Sequence, residues 1–286
     1  MYWNDSPLDD AGSTPTHGLR EETFDVLPCP AAADGHVDLS DGDIVAFARD
    51  KLGFSAEPAQ MAFLKSDAKR GIVNCCRQFG KTTIMAIKAV YRAWINPRCL
   101  IMVVCPTERQ AGLVLARIAG LVSGKDWIGG RLTGDRYNDL SLRFPNGSLV
   151  VGLPAKEGNI RGFSSVSLMI IDEASRVRDE VYKAVRPMLA VGSGDLWVLS
   201  TPDGRKGFFY EEFEFGGERW ERFQVTAIEC APRITAEFLE DELAAMGAAW
   251  VKQEYFCEFI DSGGNMFDRV MVEEAVDPEL MPLVFD

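Results

Sequence analysis

Between residues 73 and 90 the chain reads VNCCRQFGKTTIMAIKAV: an apolar run, a turn around one glycine, a lysine, two threonines and a helical pattern. A Gly80-Lys81-Thr82 core between a strand and a helix is a setting in which backbone N–H groups cradle phosphate oxygens. Lys81 is placed to reach the β- and γ-phosphates of a nucleotide. The Thr82 hydroxyl is placed to complete a Mg²⁺ shell that keeps several waters. Gln78, Phe79, Gly80 and Thr83 make up the rest of the expected phosphate-binding turn. Two features are odd. Cys75 stands where the usual pattern opens with glycine, and Arg77 sits inside the turn. A strand-to-helix turn with a chance Gly-Lys-Thr is the alternative.

A second segment bears on that choice. LMIIDEAS, residues 168 to 175, is an apolar run ending in two carboxylates. Asp172 at a strand end can bind magnesium through its water shell. Glu173 can align and deprotonate a water attacking a γ-phosphate. Alone, an Asp-Glu pair at a strand end is more often a helix cap; together with Gly-Lys-Thr about 90 residues upstream it points to nucleotide hydrolysis. A third segment, LWVLSTPDG at 196 to 204, ends in Ser200, Thr201 and Pro202. Small hydroxyls at a strand tip beside phosphates can report γ-phosphate loss; a plain strand-to-loop turn closed by proline fits the spacing equally.

The elements that must hold these residues alternate. From 72 to 201 the pattern gives strand IVNCC, a helix from Lys81 to Trp94, strand LIMVVC and a helix from Glu108 to about Leu121. A hairpin follows, LSLRF and SLVVGL around the turn PNG, then strand VSLMIID, a helix from about Asp179 to Leu189, and strand LWVLST. Continuous apolar strands separated by helices predict a mainly parallel α/β sheet covered on both faces. A helix is expected after an Asp/Ser start near residue 40, a strand at WERFQVTA, and two helices at TAEFLEDELAAMG and AAWVKQEYFCEF.

Of 286 residues, 47% are hydrophobic and 26% charged, enough apolar material for one large core. Seven cysteines without a C-x-x-C pair read as reduced thiols, and two distant histidines make a zinc site improbable. No secretory pattern opens the chain, and no apolar run is long enough to span a bilayer. The net charge of −13 argues at first against a nucleic-acid partner. Residues 1 to 50, however, carry −9 and residues 268 to 286 carry −5, leaving +1 for the middle. The acidity belongs to the ends, and a nearly neutral middle can still present a local basic patch.

The motifs CRQFGKTT, FPNGSLVVGLPA, NIRGFSSVSLMIIDEAS, LSTPDGRKGFFY and WVKQEYFCEFIDSGGNMFD occur in one order over residues 57 to 268. In this they resemble the ATPase domain of the large terminase subunit of tailed bacteriophages and related gene-transfer particles. That family's phosphate loop does not require the first glycine. The resemblance implies an additional-strand P-loop NTPase (ASCE) fold, with the LSTP strand between the phosphate-loop and Asp-Glu strands. Three regions are expected: an acidic flexible arm at 1–38, the ATPase domain at 39–262, and an acidic segment at 263–286 that starts a linker.

For single residues, the resemblance makes Gln60 the adenine-reading amide, with a surface glutamine as the alternative. Arg77 becomes the loop arginine that approaches or senses the γ-phosphate, against an ion pair with a sheet-edge carboxylate. Arg161 becomes a candidate finger reaching a neighbouring subunit's site, against a turn-shaping role. The implied cofactors are ATP and Mg²⁺. The implied partners are double-stranded DNA, a portal protein, a small terminase subunit and further copies in a ring, in the cytoplasm of a bacterial host. Family members continue into a nuclease domain near GGNMFDRVMVEEAV, where this chain ends, so no nuclease activity is expected of these residues. A helicase-like remodeller and a low-turnover nucleotide-binding adaptor are the competing functions.

Overall fold

Strands that are mostly apolar must be covered on both sides, and the chain supplies helices to do it. The computed structural model describes residues 43–135, 138–155 and 163–260. The expected arm at 1–38 and terminal segment at 263–286 lie outside the described residues, as does Arg161. In chain order the strands are β1 (Arg70–Cys75), β2 (Leu100–Cys105), β3 (Thr133–Asp135), β4 (Asn138–Arg143), β5 (Leu149–Pro154), β6 (Val166–Asp172), β7 (Asp195–Ser200) and β8 (Glu221–Val225). They form one eight-stranded sheet, ordered β3-β4-β5-β2-β6-β7-β1-β8. Every pairing from β5 to β8 is parallel. The expected hairpin, β4 with β5, and the short β3 beside it are antiparallel and close one edge.

On one face lie α1 (Ile44–Phe47), α2 (Pro58–Lys65), α3 (Lys81–Ile95) and α4 (Glu108–Val122), burying Phe63, Ile84, Ile87, Val114 and Ile118 against the odd faces of β1 and β2. The other face is covered by α5 (Asp179–Val185) and α6 (Gly207–Phe215) through Val181, Tyr182, Phe208 and Phe209. Each such fully buried side chain contributes roughly 1.5–3 kcal/mol. Gly71 in β1 is required by a close approach: a Cβ there would come within 2.2 Å of the buried Trp197 ring. Near the far edge, α7 (Ala236–Met246) and α8 (Ala248–Phe256) follow β8.

Two helices differ from their expected form. The one beginning near residue 40 is α1 followed by a wider π turn over Ala48–Leu52. That turn buries Phe47, Ala48 and Leu52 together, with Phe47 stacked 4.9 Å from Trp94 and edge-on to Trp127. The helix expected to reach Leu189 tightens to a 3₁₀ turn at Arg186–Leu189, because Pro187 has no N–H to continue the α pattern.

Candidate nucleotide site

Because β7 lies between β6 and β1, three chemically loaded strand tips meet at the carboxyl end of the sheet. The chain leaves β1 through Cys76, turns through Arg77, Gln78, Phe79 and Gly80, and enters α3 at Lys81. Gln78 and Gly80 take positive φ (64° and 92°), which wraps the turn tightly. No side chain caps α3, and with the Thr83 and Ile84 N–H groups donating to the Gly80 carbonyl, those of Lys81 and Thr82 are left for an external acceptor. Phe79 is buried and anchors the turn from beneath.

Lys81 and Glu173 face each other across this turn, with Nζ 3.0 Å from Oε1. Burial works against the Lys81 ammonium, but Cys75, Glu173 and Asp172 around it outweigh that and hold its pKa above the ordinary lysine range. Asp172, at the tip of β6, is only 5% exposed. Burial, reinforced by the Glu173 charge, pushes its carboxyl up to about 6. Its Oδ1 accepts the Glu173 N–H at 2.9 Å, and Glu173 itself holds a left-handed backbone at φ 50°, a strained conformation of the kind that clusters at functional sites.

A cavity of about 450 Å³ opens over the turn, lined by Arg77 through Thr83 together with Glu173 and Thr201. Gln110, Arg117, Arg176 and Arg233 also line it, and none of these was singled out in the sequence. Five cations line it with one carboxylate, Glu173, a lining whose chemistry suits a polyanion, although Arg77 and Arg233 also pair with Glu254 and Glu57 beside it. An all-oxygen pair, the desolvated Asp172 carboxylate and the Thr82 hydroxyl of the first α3 turn, fits a magnesium ion that retains several waters.

The remaining expected residues take definite places. Gln60 is buried behind the turn, its Nε2 donating to the Phe79 carbonyl at 2.8 Å and its Oε1 accepting the Glu57 N–H at 3.0 Å. It therefore ties α2 to the phosphate loop. Arg77 donates from Nε to Glu254 Oε2 at 2.5 Å, and its guanidinium lies 5.4 Å from the Trp250 ring centroid. Its backbone N–H also donates to the Glu254 carbonyl at 3.0 Å, so α8 is clamped to the loop. The carboxylate partner is thus present, but on a helix rather than at a sheet edge. Arg233 bridges the Gln78 carbonyl at 2.6 Å and Glu57 Oε2 at 2.7 Å. Ser200 is fully buried, its Oγ 2.7 Å from Ser175 Oγ, and so links β7 to the segment after Glu173.

A family model described as the N-terminal part of the T4likevirus-type terminase large subunit matches residues 72–273. The chain belongs to that family. Its sheet, with β7 between the phosphate-loop and Asp-Glu strands, is the additional-strand P-loop fold. The terminase large subunit of Thermus phage G20c is 25% identical over 251 residues, covering 76% of this chain and 51% of that protein. This chain therefore spans about half the length of the curated relative. Among solved structures, the ATPase domain of the Thermus phage P74-26 large terminase matches with a TM-score of 0.64 at 25% identity, over 74% of this chain and 97% of that one. The HK97 bacteriophage large terminase shares the fold at a TM-score of 0.63 and 14% identity, over 77% of this chain and 55% of that one.

Proposed function

We propose that this chain hydrolyses ATP and couples hydrolysis to movement of double-stranded DNA into a capsid. The observation that carries the reading is the 3.0 Å pairing of Lys81 with Glu173 in a cavity lined by the phosphate loop. The loop N–H groups and Lys81 bind the β- and γ-phosphates, and Lys81 then exchanges its carboxylate partner for phosphate oxygen. Glu173, released from that pair, orients a water and takes its proton. Asp172 and Thr82 would hold Mg²⁺, whose charge would offset that of the phosphates. Gln60 has one amide N–H and further lone-pair capacity left for an adenine edge. Thr201 reads the γ-phosphate end of the cavity, and Ser200 passes its state to the loop after Glu173. Arg161 is assigned as a finger acting in a neighbouring copy of a ring, with a portal and small subunit as further partners.

The decisive experiment compares ATP turnover by the wild-type chain and Lys81→Ala, with and without duplex DNA. Wild-type turnover that Lys81→Ala loses by at least about 100-fold is expected; equal rates would remove the hydrolytic reading.

Arg77 is assigned to the γ-phosphate, and Glu254 sets the cost of sending it there. Glu254 is fully buried and Arg77 is its ion-pair partner. Moving the guanidinium to a phosphate strands a buried carboxylate, a penalty of a few kcal/mol. Glu254→Gln removes the stranded charge, so ATP affinity should rise about tenfold, the equivalent of about 1.4 kcal/mol. Equilibrium binding of a fluorescent ATP analogue measures it, and unchanged affinity would show that Arg77 never leaves Glu254.

A further inference from the structure

At the opposite ends of the strands that carry the nucleotide site lies a second concavity of about 420 Å³, lined by Arg70, Lys183, Arg186, Pro187, Leu189 and Ala190. Half of its lining is cationic and none is acidic. Arg70 opens β1, whose other end becomes the phosphate loop; the 3₁₀ turn carrying Arg186 leads into β7, whose other end is Ser200. Lys183 sits on α5, the first α-helix after Glu173.

Arg70 and Arg186 are prepositioned, and none of the three cations is spent on a carboxylate. Arg70 donates through Nη1 to the Lys69 and Gly194 carbonyls at 2.7 and 2.9 Å, bonds that fix the side chain without neutralising it. The Arg186 guanidinium lies 5.3 Å from the Tyr182 ring centroid. That ring is itself immobile: it stacks on Phe208 at 4.1 Å, and its hydroxyl donates to the buried Glu212 at 2.9 Å. Among the described residues, none of Arg70, Lys183 and Arg186 pairs with a carboxylate. Three cations without a carboxylate partner around one hollow give the nearly neutral middle of the chain a local basic patch.

We propose that this concavity binds backbone phosphates of double-stranded DNA. The proposal rests on the DNA-moving reading above and adds a place for the contact. A planar guanidinium on a rigid platform and a nearby ammonium suit phosphodiester oxygens and read no base sequence. The contact is rigidly connected to the nucleotide site, since β1 and β7 run from one to the other.

The test measures binding of the full 286-residue chain to a fluorescent 30-base-pair duplex over a series of KCl concentrations. Each phosphate contact adds about 0.9 to the slope of log affinity against log salt. The double variant Lys183→Gln/Arg186→Gln, which leaves the Arg70 carbonyl bonds intact, should lower that slope by about 2 and weaken binding at least about tenfold near 0.1 M salt. Adding Arg70→Gln should lower it by about one more. ATP turnover without DNA should not change in either variant. A double variant with wild-type slope overturns the proposal. So does a peptide of residues 1–42 that binds wild type but not the double variant while duplex binding stays equal, because the hollow would then hold the chain's own acidic arm. A wild-type chain that turns over ATP but binds no duplex at any salt overturns both this site and the DNA-moving reading.

Discussion

Glu173→Gln should lower ATP turnover by about 10² to 10⁴-fold while leaving nucleotide binding intact or tighter. The two halves of that result come from different parts of the geometry. Glutamine keeps the size of Glu173 and can still accept a hydrogen bond from Lys81, but it cannot take a proton from water. At the same time the Lys81 ammonium loses the carboxylate 3.0 Å away. Its remaining charged neighbour is Asp172, so the cavity becomes more positive toward a triphosphate. Lys81→Ala behaves differently, because it removes a phosphate ligand and weakens binding as well as turnover. Phosphate release in a single turnover, beside equilibrium binding of ATP-γ-S, separates the two effects. A Glu173→Gln chain that hydrolyses at the wild-type rate would assign the proton transfer elsewhere.

Strand identities, the hairpin and the α3 phosphate turn were legible because each depends on a few consecutive residues: apolar runs for buried strands, PNG for the turn, Gly-Lys-Thr for the helix start. The placement of β7 between β6 and β1 followed from the family resemblance; alternation alone does not order parallel strands. What stayed hidden depends on contacts distant in sequence. Glu254 meets Arg77 across 177 positions and Arg233 meets Gln78 across 155. APRIT carries no local mark of a nucleotide site, and WVKQEYFCEFIDSGGNMFD, though part of the family resemblance, does not single out Glu254. Arg117 looks like any exposed base on an amphipathic helix, and Gln110 like part of an N-cap, since Thr107 does cap α4. Arg176 had the nearest thing to a signal, standing four residues after Asp172 at the start of the loop that also carries Glu173. Gln60 was singled out for adenine; its burial against Phe79 adds a supporting role for the loop that the residue type alone could not reveal.

Asp172→Asn should abolish turnover and yet make the ligand-free protein more stable. The folded protein holds this carboxyl near 6 against an ordinary value of 3.8, with burial the largest cause and the Glu173 charge next. A carboxyl raised on folding stabilises the fold fully below its unfolded pKa, and that contribution is lost as pH rises through the folded value. Above about pH 7 the charged Asp172 therefore opposes folding, by roughly 3 kcal/mol at most. Asparagine keeps the Oδ1 acceptor for the Glu173 N–H and removes the charge. At neutral pH its Tm should rise by several degrees, at about 2–4 °C per kcal/mol for a domain of this size. The fall in wild-type stability between about pH 4 and 6 should flatten in the variant, as linkage requires. Millimolar Mg²⁺ with ATP should stabilise the wild type and do much less for the variant, since an amide is a poorer ligand for a hard cation. A variant that melts lower than wild type at neutral pH would mean that Lys81 more than offsets the burial of this charge. Asp172 would then belong to the structural ion pairs, not to the residues held at a thermodynamic loss for binding a metal.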